Sequence, residues 1–175
     1  NIDVLSDEGM KFTSFYVHNR CSPTRAAFMT GCHAQRVDMG KVIYRKDSSG
    51  INSDEITVAE LLKSAGYATG IVGKWHMGDT DEKQRGFDHW LSFAGQGNYL
   101  PERRGGRVNR LNLNGQHVPQ KGYITDELTD YTLDWLANGR DTAKPFFVYL
   151  SHKAVHANFT PAARHEELYA DAKIP

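Results

Sequence analysis

The sequence predicts an α/β fold, a central sheet flanked by helices. Segments of helical and extended character alternate along the chain, as they do when helices cover the faces of a sheet. Two of the predicted strands are followed at once by ionisable residues, Lys74-Trp75-His76 after 67–73 and His152-Lys153 after 146–151. In open α/β sheets that strand end is where ligands bind. A hydrophobic content of 39% over 175 residues is enough for a real core and excludes disordered or fibrous classes.

Taken in order, Ile2 to Met10 reads as a helix stopped at Gly9, and Phe12 to Val17 as a strand rich in β-branched and aromatic residues. A short helix follows, with Pro23 suited to its first position, helix-compatible Ala26 to Met29, and Gly31 ending it in a left-handed conformation. Residues 32–54 are polar and irregular, with Asp47-Ser48-Ser49-Gly50 as a turn. Thr57 and Glu60 form a capping box for a helix whose Val58, Leu61, Leu62 and Ala65 share one face before Gly66 stops it. Tyr67 to Gly73 is a buried strand. Residues 79–121 are the least regular part, with Asn112-Leu113-Asn114-Gly115 as a hairpin-like turn. A long amphipathic helix then carries Ile124, Leu128, Tyr131, Trp135 and Leu136, with Thr125 as cap and Asp126 and Glu127 as first-turn negative charge. Phe146 to Ser151 is a third strand. The chain opens at Asn1 inside a helix and stops at Pro175 without a closing element, so residues 1–175 are expected to be a single internal fragment, incomplete at both ends.

Lys plus Arg equals Asp plus Glu at 21 each, so no global field points to nucleic acid or an anionic membrane, and any anion site is local. No apolar run reaches the roughly 18 residues of a membrane span. The local candidate is Cys21 at the start of its helix, where partial positive charge and open N–H donors favour a thiolate and attract anions. Arg25, one turn on, adds a permanent charge and a donor fork shaped for an oxyanion. Lys74 and His76, two residues apart, put a cation and a proton carrier on one side of an extended chain. A helix between Cys21 and Cys32 sets them farther apart than the roughly 7 Å a disulfide tolerates. Cys32-His33 lacks a metal-ligand spacing, and His152 and His156 directly after a strand lack a helix to bring them onto one face. The loop with Gly95, Gln96, Gly97, Asn98 and Tyr99 reads equally as a holder of sugar hydroxyls or as a solvated excursion, and the basic run 103–107 follows it.

Cys21-Ser22-Pro23-Thr24-Arg25, followed by Ala-Ala-Phe-Met-Thr-Gly, resembles the signature of the sulfatase family, in which Cys-x-Pro-Ser/Thr-Arg directs oxidation of the cysteine to formylglycine. The run from Asn1-Ile2-Asp3 to Phe12-Thr13 is similar to the stretch that precedes the signature, and Gly73-Lys74-Trp75-His76-Met77-Gly78 is similar to the second signature. Lys153-Ala154-Val155-His156 resembles a third landmark, and the stretch from Gly86-Phe87-Asp88 to Gly95-Gln96-Gly97-Asn98-Tyr99 resembles carbohydrate sulfatases, including those acting on N-acetylglucosamine 6-sulfate. Thr24 stands where serine is commoner, and Cys32 where arginine is usual.

The resemblance implies an alkaline-phosphatase-like sheet and hydrolysis of sulfate esters, with Cys21, Arg25 and His76 catalytic. Lys74, His156, Gln96 and Lys153 would contact substrate, and His152 would be structural. It implies calcium, bound by modified Cys21 together with acidic pairs and a lysine outside residues 1–175, so that the fragment alone is expected to be nearly inactive. It further implies a sulfated carbohydrate substrate, a formylglycine-generating maturation enzyme as partner, and a periplasmic, extracellular or lysosomal location. A phosphonate or phosphodiester hydrolase of the same superfamily, and a non-catalytic sulfate- or phosphate-binding protein, are the alternatives.

Overall fold

The computed structural model describes residues 2–44, 47, 49–78, 80–102 and 106–173. The helices are α1 (Ile2–Glu8), α2 (Cys21–Thr30), α3 (Val58–Ser64) and α4 (Ile124–Asp134). The strands are β1 (Ala68–Gly73), β2 (His89–Ser92), β3 (Arg110–Leu113), β4 (Gln116–Pro119) and β5 (Phe146–Ser151). They form one mixed sheet in the order β4-β3-β2-β1-β5, with β1 parallel to β2 and β5, and β2-β3-β4 an antiparallel extension.

Alternation along the buried strands sorts the core into two layers. Ile71 and Trp90 face one side and pack with Ala26, Met29, Ala59 and the mutually tilted rings of Trp75 and Phe87. Val72 and Leu91 face the other, against Ile124 and Leu128 of α4. Helices on both faces of a central parallel pair are what an apolar run such as Gly70-Ile71-Val72 requires.

Several local expectations hold for stated reasons. Thr57 and Glu60 cap α3 reciprocally, and Gly31 ends α2 at φ 67°, donating its N–H to Ala27. Asn114 and Gly115, at φ 51° and 95°, make the tight turn joining β3 to β4. Both cysteines are free thiols.

Others are corrected. Residues 12–17 form no strand: Phe12, Phe15, Tyr16 and Val17 are exposed and no neighbouring strand pairs with them, so β-propensity has nothing to act against. The region 79–121 contains three strands of the sheet, short ones whose periodicity is too brief to read. Helix α2 begins at Cys21, which puts Pro23 at the third position, still among those whose N–H has no helical partner. The buried side of α3 is Ala59, while Leu61 and Ala65 are exposed. Thr125 is not the cap of α4. The cap position is Tyr123, and the Glu127 carboxylate turns back to accept from the backbone N–H groups of Lys121 and Gly122. Part of the predicted turn, Ser48, and part of the basic run, Arg103, Arg104 and Gly105, lie outside the described residues. Among the described residues no helix is long and apolar enough to cross a membrane.

Gly73 sets how closely β1 approaches β5. Its φ is 115°, and a Cβ there would lie 2.0 Å from the Ser151 carbonyl oxygen, a group already accepting from the Lys74 N–H. Gly73→Ala is therefore expected to destabilise the full-length protein by about 3 kcal/mol or more, whereas Thr57→Ala should cost about 1 kcal/mol. Chemical denaturation midpoints that move equally for the two variants would contradict this account of the strand pair.

Candidate active site

Because β1 and β5 run parallel with Gly73 opposite Ser151, the residues that follow each strand leave the sheet at the same edge. Lys74, Trp75 and His76 leave from one, His152 and Lys153 from the other, and the N-terminus of α2 is packed against that edge.

Cys21 is the first residue of α2, after Arg20 in extended conformation with no side-chain cap, so the open end of the helix is at the thiol. Its Sγ lies 3.3 Å from His76 Nδ1. The other ring nitrogen of His76, Nε2, is 3.0 Å from the Ile43 carbonyl oxygen. That oxygen only accepts, which places the proton of the neutral imidazole on Nε2 and leaves Nδ1 as an acceptor facing Cys21. Gln96 Nε2, 3.4 Å from His76 Nε2, is then a contact rather than a bond. His76 is 5% exposed and holds a left-handed backbone at φ 54°, an uncommon conformation that re-aims the chain after the strand. Burial, reinforced by the charge of Lys74 and opposed by the Ile43 bond, lowers its pKa to about 4. The ring is therefore a free base at neutral pH.

Arg25 is held by one terminal nitrogen. Nη1 donates to the Lys74 carbonyl at 2.7 Å, to Tyr149 Oη at 3.0 Å and to Ser151 Oγ at 2.6 Å. Tyr149 and Ser151 alternate along β5 and so share a face. Among the described residues no hydrogen bond engages Nε or Nη2, which leaves that side of the fork for an anion. The Lys74 ammonium, 3% exposed side chain and all, donates to Gln96 Oε1. Burial first, then the charge of Arg25, lowers its pKa to about 8, with Cys21 opposing and Lys153 adding to the shift. Among the described residues no carboxylate pairs with either cation, and two clustered cations so placed favour a bound anion.

Of the predicted site residues, Cys21, Arg25, Lys74, His76 and Gln96 are thus joined directly. Lys153 is buried and close enough for its charge to act on Lys74, and the charge of His156 acts on His76. The His156 side chain is exposed and contacts its neighbour's carbonyl, with Nδ1 3.0 Å from Ala157 O. His152 is half-buried, with its pKa lowered by burial. The sequence reading missed the support. Ser22 Oγ accepts from the Ile43 N–H, and Ile43 in turn fixes His76. The period-two spacing of Tyr149 and Ser151 was a legible signal, but nothing marked Ile43. Among the described residues no group of three or more His, Cys, Asp or Glu converges on a metal position.

A family model described as "Sulfatase" matches residues 1–175. The N-acetylglucosamine-6-O-sulfatase of Bacteroides thetaiotaomicron is 34% identical over 180 residues, covering 100% of this chain and 29% of that protein. The N-acetylgalactosamine-6-sulfatase of Sus scrofa is 31% identical, covering 90% of this chain and 35% of its own length. The chain thus spans about a third of the length of these curated relatives. A solved structure in complex with D-glucosamine-2-N,6-O-disulfate superposes with a TM-score of 0.82 at 34% identity, covering 99% of this chain and 33% of that one. Another, holding k-i-k-neocarrahexaose, gives 0.78 at 28% identity over 90% of this chain and 39% of that one.

The site geometry predicts that inorganic sulfate binds less tightly as pH rises through about 8, because Lys74 then loses its charge. Lys74→Arg should abolish that dependence, and calorimetric titrations from pH 6.5 to 9.5 check it. The double substitution Ser151→Ala with Tyr149→Phe leaves Arg25 Nη1 with only the Lys74 carbonyl, and should weaken sulfate binding on the order of tenfold. Unchanged affinity in that variant would mean that β5 does not aim the guanidinium.

Proposed function

The chain belongs to the sulfatase family, and on that premise we propose that the protein hydrolyses sulfate esters of a sulfated carbohydrate, with residues 1–175 forming the nucleophile-bearing part of the catalytic domain. The observation that carries the reading is the contact of Cys21 Sγ with unprotonated His76 Nδ1, at an open helix end beside Arg25 and Lys74. A sulfate ester needs a nucleophile toward sulfur, stabilisation of charged oxygens and a proton for the departing alcohol.

Sulfatases generally use calcium and formylglycine. The Cys21 thiol stands here for that modified side chain, which would supply a hydroxyl of the hydrated aldehyde as the nucleophile. His76 Nδ1 is placed to take a proton from a hydroxyl group at residue 21, and the Ile43 carbonyl keeps the ring in the tautomer that allows it. Arg25 and Lys74 would hold the sulfate oxygens, Lys153 would add charge beside them, and Gln96 would orient both Lys74 and a polar group of the sugar. His156, whose side chain is exposed, would contact the sulfate ester near the leaving group. Calcium fits these residues only in part. Among the described residues Cys21 is the single candidate ligand, and the flanking cations Arg25 and Lys74 disfavour a metal unless further carboxylates surround it.

Two measurements test the reading. After co-expression with a formylglycine-generating enzyme, the intact mass of the full-length protein should drop by the exchange of a thiol for an aldehyde, and Cys21→Ala should not show the drop. The matured enzyme should turn over aryl and 6-O-sulfated glucosamine esters faster than matched phosphonate esters, and His76→Ala should lower kcat by about 10²–10⁴. An unmodified thiol together with tight sulfate binding and no turnover would identify an anion-binding protein instead.

A further inference from the structure

Tyr99 is 6% exposed and lies within the α4-side core, yet its two ends serve the loop that follows β5. Its hydroxyl donates to the His156 carbonyl at 2.5 Å, and the Lys153 ammonium sits 4.6 Å from the centre of its ring. The ring is stacked on Tyr123 at 5.9 Å, and the Tyr123 hydroxyl donates to the Thr160 carbonyl at 2.9 Å, farther along the same loop. The backbone of Tyr99 is pinned in turn. Its carbonyl accepts from the Ile124 N–H at 2.9 Å and from Gln120 Nε2 at 3.3 Å. Residues 154–159 are exposed, so little packing of their own orders them. Lys153 ties the loop together by donating to the Ala157 carbonyl at 3.1 Å.

Three residues before Tyr99, Gln96 accepts from Lys74 and touches His76. One short segment therefore reaches the β1 side of the site through an amide and the β5 side through a phenol. A buried hydroxyl takes a partner wherever its ring packs, but this one takes it from the loop that carries Lys153 and His156, and the Lys153 cation lies over the same ring.

We propose that Tyr99 is a positioning residue: it fixes the loop carrying Lys153 and His156 at the distance from Lys74 and His76 that a bound sulfate ester requires. The proposal rests on the sulfatase reading for its substrate but not for its geometry. Tyr99 touches neither the thiol nor the imidazole of His76, so its loss should act on binding more than on the chemical step.

The test compares matured full-length wild type with Tyr99→Phe, which keeps the ring and removes the hydroxyl, and with Tyr99→Leu, which removes both. Tyr99→Phe is expected to raise KM for a 6-O-sulfated glucosamine about fivefold or more, with kcat within threefold and little change in Tm. It should weaken binding of inorganic sulfate, read by calorimetry, by a similar factor. Tyr99→Leu should go further on both readouts, and Tyr99→Phe alone decides the matter if the leucine variant does not fold. A phenylalanine variant with KM and sulfate affinity within twofold of wild type, or one that lowers only kcat, overturns the inference. Wild type that binds sulfate but cleaves no ester would defeat the functional reading alone, because the sulfate affinities of the two proteins still decide the role of Tyr99.

Discussion

The parallel pairing of β1 with β5 is the constraint on which the site depends. With Gly73 opposite Ser151, both strands end at the same edge, and the two cation-bearing segments leave the sheet side by side. The close approach needs a residue without a Cβ at Gly73, and it sets the Lys74 N–H on the Ser151 carbonyl. Arg25 then joins α2 to both strands, through the Lys74 carbonyl on one and Tyr149 and Ser151 on the other. The Arg25 guanidinium, the proposed sulfate ligand, is thus also the bolt between α2 and the sheet.

That economy has an electrostatic consequence. Arg25, Lys74 and Lys153 are gathered where burial already disfavours charge, and the response is visible in the lowered pKa values of Lys74 and His76. A site built this way is uncomfortable until a tetrahedral anion arrives. The same field keeps His76 unprotonated beside residue 21, so in the proposed mechanism the groups that hold the sulfate also prepare the base.

Much of the local structure was legible because its causes are local. The Thr57 and Glu60 cap, the Gly31 stop, the Asn114-Gly115 turn, the buried run of β1 and the apolar run of β5 each follow from a few adjacent side chains. The segment 12–17 misled because strand propensity says nothing about whether a partner is available. Strands β2 to β4 were missed because four residues are too few to display a period, and their identity as strands lies in their pairing.

The sequence by itself determined which reactive groups are present and in what order: a cysteine at a helix start with an arginine one turn on, a lysine and a histidine after one strand, and a lysine and a histidine after another. Motif order sufficed for that, since side-chain identity fixes which atoms can attack, accept a proton or hold an anion. Only the tertiary structure decided which atoms meet. That Nδ1 of His76 faces Cys21, that Ile43 selects the tautomer, and that Tyr99 reaches the His156 carbonyl are relations between residues 33 to 57 positions apart. Contacts at such separations are set by strand register and packing in two layers, which no local pattern of residues encodes.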